Sequence, residues 1–273
     1  MKIAVFYENI YDGAIAANKR PETVLEDLTQ QGLKMIYLSP ASWRRDEKWL
    51  APLLERLGLA IEGMHVHLDF VARPDTLEYR DIVDLASGCG AGNLLIVPGM
   101  LSGRNTAEAV QRMLDGMRRT TEYGQRRGLP ILMEDYDSLI SPYNSIAGLD
   151  WFLSQVEGLG CAFDTGNFVA FHEDEMQALE RFRSRIVTVH LKDRVHVTSM
   201  PCEHAFICAN GEAVHTCPVG KGFIRIDEIL QSLRESGYSG NVIAELYGCD
   251  SSHLLEDLSS SLAYLRDKTG EKA

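Results

Sequence analysis

Residues 161–167 read Cys161-Ala162-Phe163-Asp164-Thr165-Gly166-Asn167. An apolar run of strand length ends in a carboxylate and then in Thr-Gly-Asn. A desolvated carboxylate is costly without a partner, and no Lys or Arg stands within this stretch to supply one. The same pattern recurs on either side. Ile131-Leu132-Met133 runs into Glu134, Val187-Thr188-Val189 into His190, and Val242-Ile243-Ala244 into Glu245. Four successive apolar runs therefore end in a side chain that can ligate a metal.

These runs are four of eight. Strands are expected at 2–7, 34–39, 60–68, 93–99, 130–135, 161–166, 186–192 and 241–247, with helical spacing between them. Pro21 opens a helix whose apolar face is Val24, Leu25 and Leu28 and which Gly32 ends. Asn105-Thr106 precedes Val110, Met113, Leu114 and Met117; Asp227 precedes Ile229, Leu230 and Leu233. A last stripe runs through Leu254, Leu255, Leu258, Leu262 and Leu265. Eight alternating β and α units in 273 residues predict one α/β domain over 1–273, a closed (β/α)8 TIM barrel. An open doubly wound sheet would be expected to carry a GxGxxG turn, which is missing. The stretch from Lys192 to Asn241 is far longer than one helix needs. Its excess, 194–224, predicts a hairpin about Asn210-Gly211 lying over the C-terminal mouth, with His204 opposite Cys217 and Cys208 opposite Ala213.

Charge narrows the partners. Lys and Arg number 27 against 39 Asp and Glu, a net charge of −12 that disfavours a nucleic-acid backbone. No run approaches a membrane span, and the apolar start at residues 3–7 is short for a signal-peptide core. Cysteines at 89, 161, 202, 208, 217 and 249 follow no secreted disulfide pattern. A cytoplasmic, reduced protein acting on a small molecule, free or as a homo-oligomer, is the expectation.

Period-two alternation places each strand-end residue on the face that a barrel turns inward, so Glu134, Asp164, His190 and Glu245 should converge at the mouth. A single acid at a strand end is commonly a surface or capping residue; four on consecutive strands are not. Three carboxylates in one pocket repel one another unless a cation offsets them. One divalent ion resolves this. The oxygen-rich set suits Mn²⁺ first, with Mg²⁺, Co²⁺ or Zn²⁺ as alternatives.

With Asp164-Thr165-Gly166, His190-Leu191-Lys192-Asp193, Ala244-Glu245 and the segment 219–245, the chain resembles the xylose isomerase-like TIM barrel superfamily. The resemblance implies that Glu134, Asp164, His190 and Glu245 bind one metal. It also implies that Glu134 and Glu245 move a proton at a carbon beside the carbonyl of a ketose or ketose phosphate, as a sugar isomerase or epimerase does. Asn167 stands where free-ketose epimerases of the family carry a His, and the form here is similar to pentulose-phosphate epimerases. The alternative is a dehydratase of the same superfamily, akin to 3-dehydroshikimate dehydratase, although those carry a His two residues after the first Glu, where Tyr136 stands. A non-catalytic sugar-binding barrel is a third reading.

Further substrate contacts are expected at His65 and His67, which share one face of the third strand, and at Asn167, Lys192 and Arg194. Each His could equally be a satisfied core residue, and a second metal at the pair would need more ligands. Lys221, between two glycines, reads as an exposed turn. Cys202, His204, Cys208, His215 and Cys217 form a candidate small zinc site, or else a lid surface or subunit contact.

Overall fold

The computed structural model describes residues 1–103, 106–198 and 204–270. Eight parallel strands close a barrel: β1 (Ile3–Phe6), β2 (Met35–Leu38), β3 (Ala60–His67), β4 (Leu94–Val97), β5 (Ile131–Met133), β6 (Gly160–Asp164), β7 (Ile186–Leu191) and, last in the chain, β11 (Val242–Ala244). They lie in sequence order around the ring, and β11 pairs with both β1 and β7.

Helices cover the outside: α1 (Tyr7–Ala16), α2 (Pro21–Gln30), α3 (Pro40–Leu57), α4 (Glu78–Gly88), α5 (Thr106–Arg127), α6 (Ile146–Gln155), α7 (Glu175–Phe182), α8 (Ile226–Glu235) and α9 (Leu254–Thr269). Their boundaries follow local chemistry. Pro21 sits at the first position of α2, and Ser39 caps α3 by accepting the Ser42 N–H. Gly58 closes α3 with a left-handed φ of 66°, a conformation that Gly adopts without steric cost. The expected stripe of α9 is buried at Leu254, Leu258, Leu262 and Leu265. The expected Asn105 cap of α5 lies outside the described residues. One helix was not expected at all. α1 begins at Tyr7, inside the range expected for the first strand, and its Gly13 allows close approach to α9: a Cβ there would stand 2.8 Å from Leu255.

Two apolar layers result. Ala4, Phe6, Tyr37, Leu95, Leu132, Ala162 and Ile243 fill the barrel interior, while a larger layer lies between sheet and helices. Inner residues alternate with outer ones along each strand, so a register error of one would expose the wrong set.

One register shift matters for the site. Cys161 pairs with Ile186, but Ala162 pairs with Thr188, so β7 gains a residue. Asp164 therefore lies beside His190. Without the shift its neighbour would be Val189, whose side chain points to the helices.

The chain between β7 and α8 forms a three-stranded antiparallel sheet of β8 (Asp193–His196), β9 (Phe206–Ile207) and β10 (Ala213–Cys217), in the order β8-β10-β9. The expected hairpin is present with a different register. Ala213 pairs with Ile207, Cys208 N–H donates to the Glu212 carbonyl at 2.8 Å, and the turn is three residues long with Gly211 at φ 88°. The left-handed Gly adds a residue to the loop, so Cys208 does not face Ala213 and His204 does not face Cys217. Cys217 pairs instead with Asp193 on β8. No helix among the described residues is long and apolar enough to cross a membrane. The five described cysteines are free.

Candidate active site

Strand ends β5, β6, β7 and β11 bring Glu134, Asp164, His190 and Glu245 to one end of the barrel. Asp164 and His190 are fully buried. Asp164 Oδ1 accepts the N–H groups of Gly166 and Asn167 at 2.7 and 2.8 Å, which explains the Thr-Gly-Asn turn behind it. His190 Nδ1 lies 3.0 Å from Glu134 Oε2 and 3.3 Å from Glu245 Oε2. Neither contact has hydrogen-bond geometry.

Lys192 occupies the centre of this acidic group. Its Nζ stands 2.6 Å from Glu245 Oε1 and 3.4 Å from Asp164 Oδ2, and donates to Asn167 Oδ1 at 2.8 Å. The electrostatics follow from these distances. Burial opposes charge on Glu245, yet Lys192 and His190 outweigh it and hold the carboxyl below its usual range. Asp164 is pushed up to about 7, first by burial and then by Glu245 and Glu134, against the pull of Lys192. Lys192 is itself raised, because Asp164 and Glu245 outweigh its burial. Behind the site Asp135 is wholly buried with neither oxygen hydrogen-bonded, so burial and then the neighbouring Asp164 and Glu134 raise it far above the carboxylate range.

Glu134 Oε2, Asp164 Oδ2 and both His190 nitrogens are buried without a hydrogen-bond partner. Ligand atoms of Glu134, Asp164 and His190 lie within 4.8 Å of one another. Two carboxylates and an imidazole with unused buried lone pairs fit a divalent ion. Glu245 stands beside this trio, tied to Lys192. Among the described residues no other group of three or more such side chains is close enough to hold a metal. The hairpin zinc site is not formed by them: His215 Nδ1 faces the Thr216 carbonyl at 2.9 Å, and Cys202 lies outside the described residues.

The cavity above the trio has a volume of about 620 Å³. His65 and His67 line it from β3, Asn167 and Lys192 from its floor. Tyr136 also lines it, and the His67 ring meets that ring edge-on at 5.7 Å. Burial, and then His65, lower the His67 imidazole below its usual value. Asn167 is held at both polar atoms, since its Nδ2 donates to the Asp135 carbonyl and its Oδ1 accepts from Lys192 Nζ. Arg194 lines the cavity but is 4% exposed; it pairs with Asp137 at 2.5 Å and donates to Thr216 Oγ1 at 3.3 Å. Lys221 is exposed and lies off the cavity.

Sequence reasoning missed three residues that shape this site. Asp137 follows Glu134 by three and neutralises Arg194. Glu8, two residues beyond β1, faces His65. Asp193 accepts the N–H groups of Arg194, Gly220, Gly222 and Ile224, binding the loop after β10 to the mouth. A Cβ on Gly222 would stand 2.1 Å from Asp193 Oδ1 and 2.3 Å from the Arg194 carbonyl oxygen. Gly222→Ala is therefore expected to cost on the order of 1–3 kcal/mol by overpacking, read as a fall in Tm. An unchanged Tm would show that this contact is loose.

The fold and the ligand-rich mouth define a class. Residues 27–268 match the family model described as xylose isomerase-like TIM barrel, and the chain belongs to that family. It is 28% identical to the inosose dehydratase of Bacillus cereus strain AH820, over 86% of this chain and 77% of that protein. Among solved structures, the IolI protein with a bound zinc atom superposes with a TM-score of 0.75 at 16% identity, covering 99% of this chain and 98% of that one. The probable 3-DHS dehydratase AsbF of Bacillus anthracis superposes with a TM-score of 0.73, also at 16%, covering 97% and 98%. At this identity the structures speak for the fold alone.

Proposed function

We propose that the protein is a divalent-metal-dependent dehydratase acting on an uncharged polyhydroxy ketone of the inosose kind. It would remove a proton beside the carbonyl and expel a hydroxyl from the next carbon. The observation that carries this reading is the buried Lys192, placed between Glu245 and Asp164 at the metal-ligating trio. Glu134, Asp164 and His190 would hold the ion, with Glu245 as the adjacent fourth carboxylate and Mn²⁺ as the first choice of metal. When bound, the ion supplies Lewis acidity to a substrate carbonyl oxygen.

Glu134 takes the proton. Its Oε2 accepts no hydrogen bond and its side chain lines the cavity, whereas Glu245 Oε1 is held by Lys192. The Lys192 ammonium stabilises negative charge developing on the enolate oxygen. Asn167 fixes that ammonium. The objection raised by Tyr136 weakens, because His67 brings an imidazole to the Tyr136 ring from β3. The similarity to inosose dehydratases supports the same direction over the isomerase expectation.

The substrate's neutrality is argued from pairing. Arg194 is paired with Asp137, and Lys192, set against Asp164 and Glu245, is the cation that meets the enolate oxygen, so no lining Lys or Arg is left over for a phosphate or carboxylate. This reverses the leaning toward a phosphorylated substrate drawn from Asn167. Turnover of an inosose, a ketohexose and a ketose phosphate should be followed by proton NMR. Water loss from the inosose with little reaction of the phosphate is expected; preference for the phosphate would overturn the pairing argument. Epimerisation is the second reading, favoured by the approach of Glu134 and Glu245 to the same imidazole nitrogen, and a C3 epimer of the ketohexose would establish it.

Metal binding should depend on pH. Although burial alone would lower His190, the carboxylates of Glu134 and Glu245 raise it to about 10 in the ion-free protein. A ligating nitrogen must surrender that proton, so affinity for Mn²⁺ is expected to tighten by up to about tenfold per unit as pH rises from roughly 6 to 9. Calorimetric titration in buffers of different ionisation enthalpy measures the proton released. A Kd independent of pH would contradict this assignment.

A further inference from the structure

On the wall formed by β1 and β3 lies a second acid–base group, which the reaction as described leaves unused. His65 Nε2 faces Glu8 Oε2 at 3.5 Å. Glu8 is itself anchored from behind: its Oε1 accepts the Ser39 N–H at 2.8 Å and the Ser42 hydroxyl at 2.6 Å. Although burial opposes charge on Glu8, His65 and Ser42 outweigh it and hold the carboxyl at about 2. Among the described residues nothing pairs with His65 Nδ1, and the side chain is 19% exposed on the cavity wall.

Packing fixes the ring as well. His65 stacks on Tyr37 at 5.8 Å with an interplanar angle of 9°, and meets the edge of Phe6 at 5.2 Å. His190 packs against the same two rings, at 5.1 Å from Tyr37 and 5.2 Å from Phe6. The ligand imidazole and the Glu8-backed imidazole thus share one aromatic wall, and of the two His65 lines the cavity. An imidazole with one nitrogen held by a carboxylate and the other free is oriented for proton transfer at the free nitrogen.

We propose that His65, positioned by Glu8, donates the proton that turns the departing hydroxyl into water. This rests on the dehydratase reading. In the step, Glu134 accepts the proton beside the carbonyl and the C–H electron pair is carried by the enolate. As the carbonyl re-forms, that pair becomes the new carbon–carbon double bond. The carbon–oxygen bond of the next carbon breaks, and its oxygen leaves as water with the Nδ1 proton of imidazolium His65. His65 ends neutral and Glu134 protonated, and exchange with solvent restores both. No oxidant or reductant is required. Glu8 is a positioning residue.

Metal-loaded protein incubated with an inosose in D₂O separates the two halves of the step. In His65→Asn, water loss is expected to fall about 10²–10³-fold while deuterium entry beside the carbonyl stays within about threefold of the unaltered protein. Glu8→Gln provides a second readout. The kcat for water release is expected to fall about tenfold while KM for the inosose stays within about twofold, because the ring loses its orientation and not its contact with the substrate. The groups facing His65 are Glu8 and, beyond it, Asp12 on α1, Tyr37 on β2, His67 on β3 and Tyr247 after β11. All but Glu8 are retained in that variant.

Equal loss of exchange and water release in His65→Asn, or loss of neither, would overturn the assignment, as would an unchanged kcat in Glu8→Gln. Should the unaltered protein exchange deuterium without releasing water, the dehydratase reading itself falls, and this inference with it. Should it do both while His65→Asn also does both, only the role of His65 falls.

Discussion

Lys192→Met is expected to lower turnover about 10²–10³-fold, the loss typical of removing one group that stabilises an oxyanion in a dry site. The same substitution should destabilise the ion-free fold. Lys192 is buried against Glu245 and Asp164, and removing one partner of a buried ion pair costs about 3–5 kcal/mol because the other charge stays behind. The pH dependence has a definite sign. Glu245 lies below its ordinary value, chiefly because Lys192 offsets its burial, so its favourable contribution is present above that ordinary value and fades as pH falls. The deficit in Lys192→Met should therefore be largest at neutral and alkaline pH and shrink as the carboxylates protonate on acidification. Added Mn²⁺ should restore much of the Tm but little of the turnover. Thermal unfolding between pH 3 and 9, with and without ion, measures this. A Tm unchanged at pH 8 would mean that Lys192 does not balance these acids.

For Glu134→Gln the expected loss is at the first proton transfer, with deuterium exchange and water release falling together by about 10³-fold or more. Although Gln has the shape of Glu, the Glu134 carboxylate is the acid nearest the buried His190 and does most to raise it, so the ion-free Tm should fall at neutral pH. Weaker Mn²⁺ binding is expected alongside, since one anionic ligand is gone. Saturating Mn²⁺ should not rescue the rate. Persistent exchange at saturating ion would transfer the base role to Glu245. These two variants therefore separate charge balance from proton abstraction.

The barrel and the convergence at its mouth were legible because both depend on short periodicities. Apolar runs alternate with 3.6-residue stripes, and each strand-end residue sits two positions from an inward neighbour. What lay beyond reach depends on contacts between distant segments. The extra residue that aligns Asp164 with His190 is a property of the β6–β7 pair, and neither run shows it alone. Tyr7 reads as strand by its apolar neighbours, but docking of α1 on α9 makes it helical. The Asn210-Gly211 pair signalled a turn correctly, yet the register between β9 and β10 gives a loop of three residues rather than two. The pairs Arg194–Asp137 and His65–Glu8 join residues 57 positions apart in each case, so no local spacing announces them. Those pairs change the chemistry expected at the site, the first by neutralising an anion-binding candidate and the second by orienting an imidazole.

The most direct test of the central claim is a mass spectrum of an inosose after incubation with the Mn²⁺-loaded protein in D₂O, beside a chelator-treated control. The expected result is a product lighter than the substrate by one water, formed only in the loaded sample. Unchanged composition with deuterium incorporated, or with a new epimer, would contradict dehydration and leave proton transfer as the whole reaction.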